Sequence, residues 1–533
     1  MTAEPSSQAL VASAGRDKLR HFGLAGLARL ALGFAFVLGA AAYAYLKGGT
    51  PDIMLVTAAA AFGAYMAMNI GANDVANNVG PAVGANVLRL GAALAIAAVF
   101  EAAGALIAGG EVVGTIRGGI IDPSLVPDPQ AFVWLMMAAL LAAAAWLNIA
   151  SAVGAPISTT HSIVGGGRGA GIAPAGVGVV NWGNMGSIAA SWVVSPFLGG
   201  VIAATFLYLI KRSITYQGDM VRAASSHVPL LVALMAWAFT TYLMLKGLSR
   251  IWPVGFATAA GIGLVVGVVA LFVVRRLMSR HAPRLDNNKD SINRLFALPL
   301  VFAVALLSFA HGSNDVANAV APLAAILDVL VHGAEIAGDA PIPLWVMVVG
   351  ALGIALGLAL YGPRVIRTVG SEITALDPMR AYCIAMAATL TVIVASQLGL
   401  PVSTTHVAVG AVFGVGFLRE YLKFNYELII QDIRDHHPPE DKTGLDAFMQ
   451  RFTAATIEER GDMLATLKED FKNLQGPDFL AKSDRKQLRK AHKQELVKRS
   501  LVLRIVAAWL VTVPASAAIA AMLFFMLRGM LLP

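Results

Sequence analysis

The run Gly71-Ala72-Asn73-Asp74-Val75-Ala76-Asn77-Asn78-Val79-Gly80-Pro81 returns, far down the chain, as Gly312-Ser313-Asn314-Asp315-Val316-Ala317-Asn318-Ala319-Val320-Ala321-Pro322. Each copy lies inside a long apolar stretch. Each sets an ionisable aspartate, amides, glycine and proline where hydrocarbon tolerates none of them cheaply. A carboxylate at the centre of a bilayer costs on the order of 3 kcal/mol on insertion scales, and such residues mark ion or substrate pathways. A second phrase is also doubled, as Pro156-Ile157-Ser158-Thr159-Thr160-His161 and Pro401-Val402-Ser403-Thr404-Thr405-His406. The four segments read as one site built by two related halves.

The rest of the chain fits a membrane setting. Of its 533 residues 57% are hydrophobic and only 14% charged, where a soluble domain carries about 25% charged residues. The apolar runs of about 20 residues recur from end to end, which makes this an all-α polytopic membrane protein. The net charge of +8 does not point to nucleic acid, because the basic residues gather in loops between spans, where they set orientation. The single cysteine, Cys383, sits in an apolar run and leaves no disulfide framework.

The runs divide into about thirteen candidate spans. Residues 1–52 read as a polar tail and an extra transmembrane anchor that is retained, 53–210 as a first transport repeat, and 211–294 as connecting spans with a cytoplasmic loop. Residues 295–418 read as a second transport repeat, 419–500 as a cytoplasmic helical insert, and 501–533 as a C-terminal span. Within the insert, Thr456-Ile457-Glu458-Glu459 has the pattern of a capping box, and Lys482 to Arg499 that of a basic helix. The segments 156–178 and 401–418 are short or glycine-broken, so each either crosses or forms a re-entrant hairpin.

With the N-terminus in the cytoplasm, Lys211, Arg212, Arg222, Arg275, Arg276, Arg280, Arg364, Arg367 and Arg380 fall inside. The outside loops hold little, Lys47, Arg117, Lys246 and Arg250, the asymmetry that orients inner-membrane proteins. The expected location is therefore a plasma membrane of bacterial inner-membrane type. In that order the two Asn-Asp phrases run antiparallel, as do the two Ser-Thr-Thr-His phrases. The fold expectation is an inverted-topology repeat with broken helices or hairpins meeting at the midplane. The parity holds only if the two ambiguous segments behave alike.

Asp74 and Asp315 each have an asparagine just before and another three residues after: Asn73 and Asn77, Asn314 and Asn318. Aspartate and the asparagine three residues on share a helix face. Carboxylate, amide and carbonyl oxygens suit a hard cation such as Na⁺, and Gly71, Gly312, Pro81 and Pro322 could unwind the helix to free carbonyls. Ser158, Thr159 and Thr160, like Ser403, Thr404 and Thr405, follow a proline and form a helix-start signature. Such a start offers free N–H groups and a positive dipole end. Three hydroxyls added to it make a cradle for a tetrahedral oxyanion. No lysine or arginine accompanies these motifs apart from Arg168, so the anion's charge must be offset by a co-bound Na⁺ at the aspartates or by their protonation. Either way transport of the anion depends on a cation. His161 and His406 read as buried histidines satisfied locally, with proton relay as the sharper alternative. Glu101, mid-span, is a candidate coupling residue.

At these motifs the chain resembles the inorganic phosphate transporter family, the sodium- or proton-coupled phosphate symporters. The doubled Gly-Ala-Asn-Asp-Val-Ala-Asn phrase carries the resemblance, together with Ser308-Phe309-Ala310-His311-Gly312-Ser313-Asn314-Asp315. Thr115-Ile116-Arg117-Gly118-Gly119-Ile120-Ile121-Asp122 and Phe100-Glu101 are similar to the sodium-coupled branch. The similarity spans about residues 53–418 and resumes in the last span. It implies phosphate at Ser158–Thr160 and Ser403–Thr405, and Na⁺ near Asp74, Asn77, Asp315 and Asn318. The chain departs from that branch at Ala385, where a glutamate is common.

The reading is a secondary active symporter for inorganic phosphate, with Na⁺ preferred over H⁺ as coupling ion. The partners expected are phosphate, Na⁺ or H⁺ and the lipid bilayer; a homodimer is compatible with the reading. No cofactor is expected, nor any metal beyond transported Na⁺. The alternatives are a sulfate:cation symporter and, in another class, an ion channel with the aspartates as a selectivity ring. An enzyme finds no support, since no nucleotide-binding glycine loop or metal-ligand cluster stands out.

Overall fold

The computed structural model describes residues 24–47, 52–122, 128–153, 157–248, 252–332, 342–370, 376–423 and 499–531, with a few isolated positions between them. The capping box expected at Thr456 and the basic helix expected from Lys482 lie outside the described residues. Among those described, the chain is helical. Eleven segments are long and apolar enough to cross a membrane, and the single β-bridge joins Ile121 to Val180.

The helices are α1 (Leu24–Lys47), α2 (Ile53–Gly84), α3 (Leu90–Ala108), α4 (Gly110–Gly119) and α5 (Pro129–Val153). There follow α6 (Thr159–Ala175), α7 (Trp182–Ile210), α8 (Met220–Tyr242), α9 (Phe256–His281) and α10 (Lys289–Asp315). The last are α11 (Ala317–His332), α12 (Leu344–Gly370), α13 (Pro378–Gln397), α14 (Thr404–Lys423) and α15 (Arg499–Leu531). The helices split by exposure. On α9 the large residues Leu264, Val265, Val269 and Phe272 are exposed, as lipid-facing side chains should be. On α2 every residue from Met66 to Ala82 is buried, and on α10 every residue from Ala303 to Asp315. These two helices form the centre of the bundle.

The packing is reciprocal. α2 lies against α12, and α10 against α3. α14 lies against α7, and α6 against α15. Each pairing has its counterpart in the other half of the chain. Without a hydrophobic drive between helices in lipid, close backbone approach at small residues supplies the contact. A Cβ on Gly71 would meet the Ile354 carbonyl, and one on Gly357 the carbonyl of Met68. In the counterpart crossing, a Cβ on Gly312 would meet the Glu101 carbonyl and one on Gly104 that of Phe309.

This corrects one expectation from the sequence. The glycines and prolines of the Asn-Asp phrases do not unwind their helices. α2 runs unbroken through Gly71 and Pro81. Between α10 and α11 only Val316 falls outside the helices, and it keeps helical angles (φ −57°, ψ −30°). The backbone breaks lie instead before the Ser-Thr-Thr segments. Ser158, extended at φ −85° and ψ 123°, opens α6, and Ser403 precedes α14. α5 packs on α6 and α13 on α14, so each pair is a helical hairpin with its tip at the serine.

Candidate functional site

The tips meet. Thr160 Oγ1 donates to the Val402 carbonyl across the two hairpins at 3.0 Å. Each serine caps its helix: Ser158 Oγ accepts from the His161 N–H at 3.1 Å, and Ser403 Oγ from the His406 N–H at 3.2 Å. Capping in this way satisfies one amide of the first turn and leaves its neighbours for a ligand.

Around the tips stand the Asn-Asp phrases, which the long buried stretches of α2 and α10–α11 hold in place. Asn73 Nδ2 donates to the Ile157 carbonyl at 3.1 Å, pinning the first hairpin. Asn314 Nδ2 donates to the Leu400 carbonyl at 3.2 Å and to Ser396 Oγ at 3.0 Å, pinning the second. Asn77 Nδ2 reaches Thr405 Oγ1 at 2.9 Å, and Asn318 Nδ2 reaches Thr160 Oγ1 at 3.2 Å. Each half thus fixes the hairpin tip of its own half with one asparagine and that of the other with the next.

The aspartates take hydroxyl hydrogens from both tips. Thr159 and Thr404 both donate to Asp315 Oδ2, at 3.2 and 3.0 Å, and Thr405 donates to Asp74 Oδ1 at 3.0 Å. All twelve residues named from the two motifs are buried, and the hydrogen bonds tie them into one cluster. Several buried oxygens have no hydrogen-bond partner among the described residues: Asp315 Oδ1, Asn314 Oδ1 and Asn318 Oδ1. Buried oxygens of this kind are costly unless something coordinates them, and a hard cation is the ligand such donors fit.

Two residues escaped the sequence reading. His311, fully buried, lies with Nε2 3.3 Å from Asp315 Oδ2 and 3.7 Å from Asp74 Oδ2, and Nδ1 3.3 Å from Glu101 Oε2. Asn78 Nδ2 donates to Glu101 Oε1 at 2.7 Å. Glu101 therefore belongs to the same polar cluster through these two neighbours. Both could have been found. His311 precedes Asp315 by one helical turn, and Asn78 is the amide by which the first phrase exceeds the second. The supplement is one-sided: Ile354 meets Gly71 as Glu101 meets Gly312, so it holds the position equivalent to Glu101, and the phrases align Ala319 with Asn78 and Ile70 with His311. Ala385, on α13, is buried and apolar.

A sequence profile of the phosphate transporter family matches residues 70–520. The chain is 50% identical over 503 residues to a Helicobacter pylori (strain J99) protein named "Putative phosphate permease", covering 93% of this chain and 94% of that one. It is 41% identical over 393 residues to a Chlamydia muridarum protein of the same name, covering 70% and 91%. Among solved structures it resembles "The sodium-dependent phosphate transporter", with a TM-score of 0.72 and 30% identity, over 90% of this chain and 100% of that one.

Proposed function

The chain belongs to the phosphate transporter family, and from that premise we propose that it is a symporter taking up inorganic phosphate with a coupling cation, Na⁺ before H⁺. The observation that carries the reading is the sharing of threonine hydroxyls. Thr159, Thr404 and Thr405 spend their hydrogens on Asp315 and Asp74. An oxyanion between the two helix starts needs those same hydrogens, together with the first-turn amides. A Na⁺ ion on the aspartate and asparagine oxygens neutralises the carboxylates and loosens their hold on the hydroxyls. The cation then enables the anion and the anion the cation.

In this reading Ser158–Thr160 and Ser403–Thr405 form the phosphate cradle. Asn73, Asp74, Asn77, Asn314, Asp315 and Asn318 hold the cation, and Glu101 bears on coupling. The name of the solved relative supports Na⁺. His311, amid three carboxylates, is the specific observation that favours H⁺ as the second choice. Phosphate is preferred to sulfate because it keeps a proton at neutral pH and can donate to Asp74 or Asp315, whereas sulfate meets only repulsion. A channel has no use for two capped helix starts closed on one another, and the relatives' names speak for a permease, not an enzyme.

The reading includes an inverted arrangement. With both hairpins re-entrant, α2 becomes the second crossing and α10–α11 the seventh, so the Asn-Asp helices run in opposite senses and rock about the shared site. The second half then includes α15, which packs on α6 as α7 packs on α14. The test is uptake of radiolabelled phosphate into proteoliposomes under an imposed Na⁺ gradient, then under an H⁺ gradient. Uptake driven by Na⁺ and resistant to excess sulfate is expected. Uptake that ignores both gradients sinks the symport reading.

A further inference from the structure

Behind the hairpin tips four aromatic rings form a column that the transport scheme above does not use. Trp192 of α7 stacks on His161 of α6 at 3.6 Å between ring centroids, inclined 28°. His161 meets His406 of α14 at 4.4 Å. His406 stacks on Trp509 of α15 at 3.6 Å and 29°. Trp192 also donates through Nε1 to the Pro401 carbonyl at 3.3 Å. The column therefore fixes both imidazole planes against both hairpins.

Although the rings are placed alike, their nitrogens are not engaged alike. His161 Nδ1 is 2.7 Å from Ser158 Oγ. Both ring nitrogens of His406, a residue 1% exposed, lack a hydrogen-bond partner among the described residues. One oxygen lone pair of each serine already accepts from the backbone N–H three residues on. A buried hydroxyl hydrogen needs an acceptor, and with the imidazole protonated on Nε2 the acceptor at hand for Ser158 is His161 Nδ1. Ser403 has no such claim on its hydrogen.

We propose that His161 is a positioning residue that holds the Ser158 hydroxyl away from the anion, so that Ser403 is the cradle serine that donates to it. The proposal rests on the phosphate reading and deepens it: the cradle grips its substrate asymmetrically. The chemistry follows from a hydroxyl's single hydrogen, which goes either to an imidazole or to an oxyanion, not to both. The ring column helps His161 keep the bond, because stacking on Trp192 holds the imidazole plane and resists any tilt that would draw Nδ1 away from Ser158.

Phosphate uptake by the full chain in Na⁺-loaded gradients tests this through KM. Loss of a hydrogen bond to a charged group should raise KM about tenfold in Ser403→Ala, and by a clearly smaller factor in Ser158→Ala. His161→Phe keeps a flat ring on Trp192 but cannot accept the hydroxyl hydrogen. Added to Ser403→Ala, it should lower KM several-fold by releasing Ser158, whereas His161→Asn, which still offers an acceptor, should not. Equal KM shifts in the two serine variants, or equal behaviour of His161→Phe and His161→Asn in the Ser403→Ala background, overturn the proposal alone. Wild-type protein that takes up no phosphate under either gradient overturns the parent reading and this one with it. Elution of each variant as a monodisperse peak in detergent excludes misfolding as the cause of a shift.

Discussion

At the scale of single residues, Asp315 and Asp74 carry the heaviest load. Asp315 accepts from threonines on both hairpin tips, so in the proposed scheme its carboxylate would couple the cation site to both sides of the anion cradle. Asp315→Asn keeps the shape but replaces an acceptor oxygen by a donor and removes the charge. With two charge-assisted hydrogen bonds lost or inverted, Na⁺-driven uptake should fall by about 100-fold or more. Asp74→Asn, which disturbs the single bond from Thr405, should also abolish measurable transport through loss of the cation's charge partner. Full uptake in either variant removes that aspartate from the assigned role. The residues of this kernel were legible because they occur twice: a doubled Asn-Asp-Val-Ala-Asn phrase in hydrocarbon has few bland explanations. Asn78 and His311 were not read for the same reason in reverse. Each occurs once, and a residue that only one half possesses has no repeat to mark it.

At the scale of elements, the sequence signalled glycine and proline correctly but not their use. Gly71 and Gly312 looked like points of unwinding, yet both lie in continuous helix and serve close crossings instead. The distinction is not visible in one dimension, since a glycine needed for bending and one needed for contact leave the same letter. The helix starts at Thr159 and Thr404, by contrast, were readable from proline, serine and threonine, because capping is a local matter; whether those segments crossed or turned back was not. The crossing interpretation has a direct check. Gly312→Val forces a branched side chain into the Glu101 backbone, whereas at Gly80 a Cβ meets nothing within 4 Å. Gly312→Val should lower the melting temperature in detergent by several degrees and reduce uptake, with losses of about 1–3 kcal/mol typical of overpacking. Gly80→Ala should leave the melting temperature equal or slightly higher, because alanine is the better helix former. A neutral Gly312→Val variant would mean that α3 and α10 do not cross there.

At the scale of the whole molecule the two halves share one kernel and differ around it. Asn73 and Asn314 pin opposite hairpins in the same manner, while the positions in the other half that correspond to Asn78, Glu101 and His311 are apolar. In the proposed inverted arrangement, a kernel whose asparagines are used alike by both halves would let either half close on the substrate. In the proposed scheme coupling follows from the sharing of hydroxyls, and it must then be reciprocal. If Na⁺ frees Thr159, Thr404 and Thr405 for the anion, then phosphate must tighten Na⁺ by the same factor, since linkage binds the two equilibria. A coupling of about 1–3 kcal/mol, about 5- to 150-fold in affinity, is the usual range for such linkage. Isothermal titration of the purified protein should show phosphate Kd falling as Na⁺ rises, and the Na⁺ Kd falling equally as phosphate rises. Thr404→Val, which keeps the shape but removes a hydroxyl shared with Asp315, should shrink the factor while leaving Na⁺ binding in the absence of phosphate nearly intact. Affinities that do not depend on the partner would mean that cation and anion occupy the protein independently, and the hydroxyl exchange would then have no part in transport.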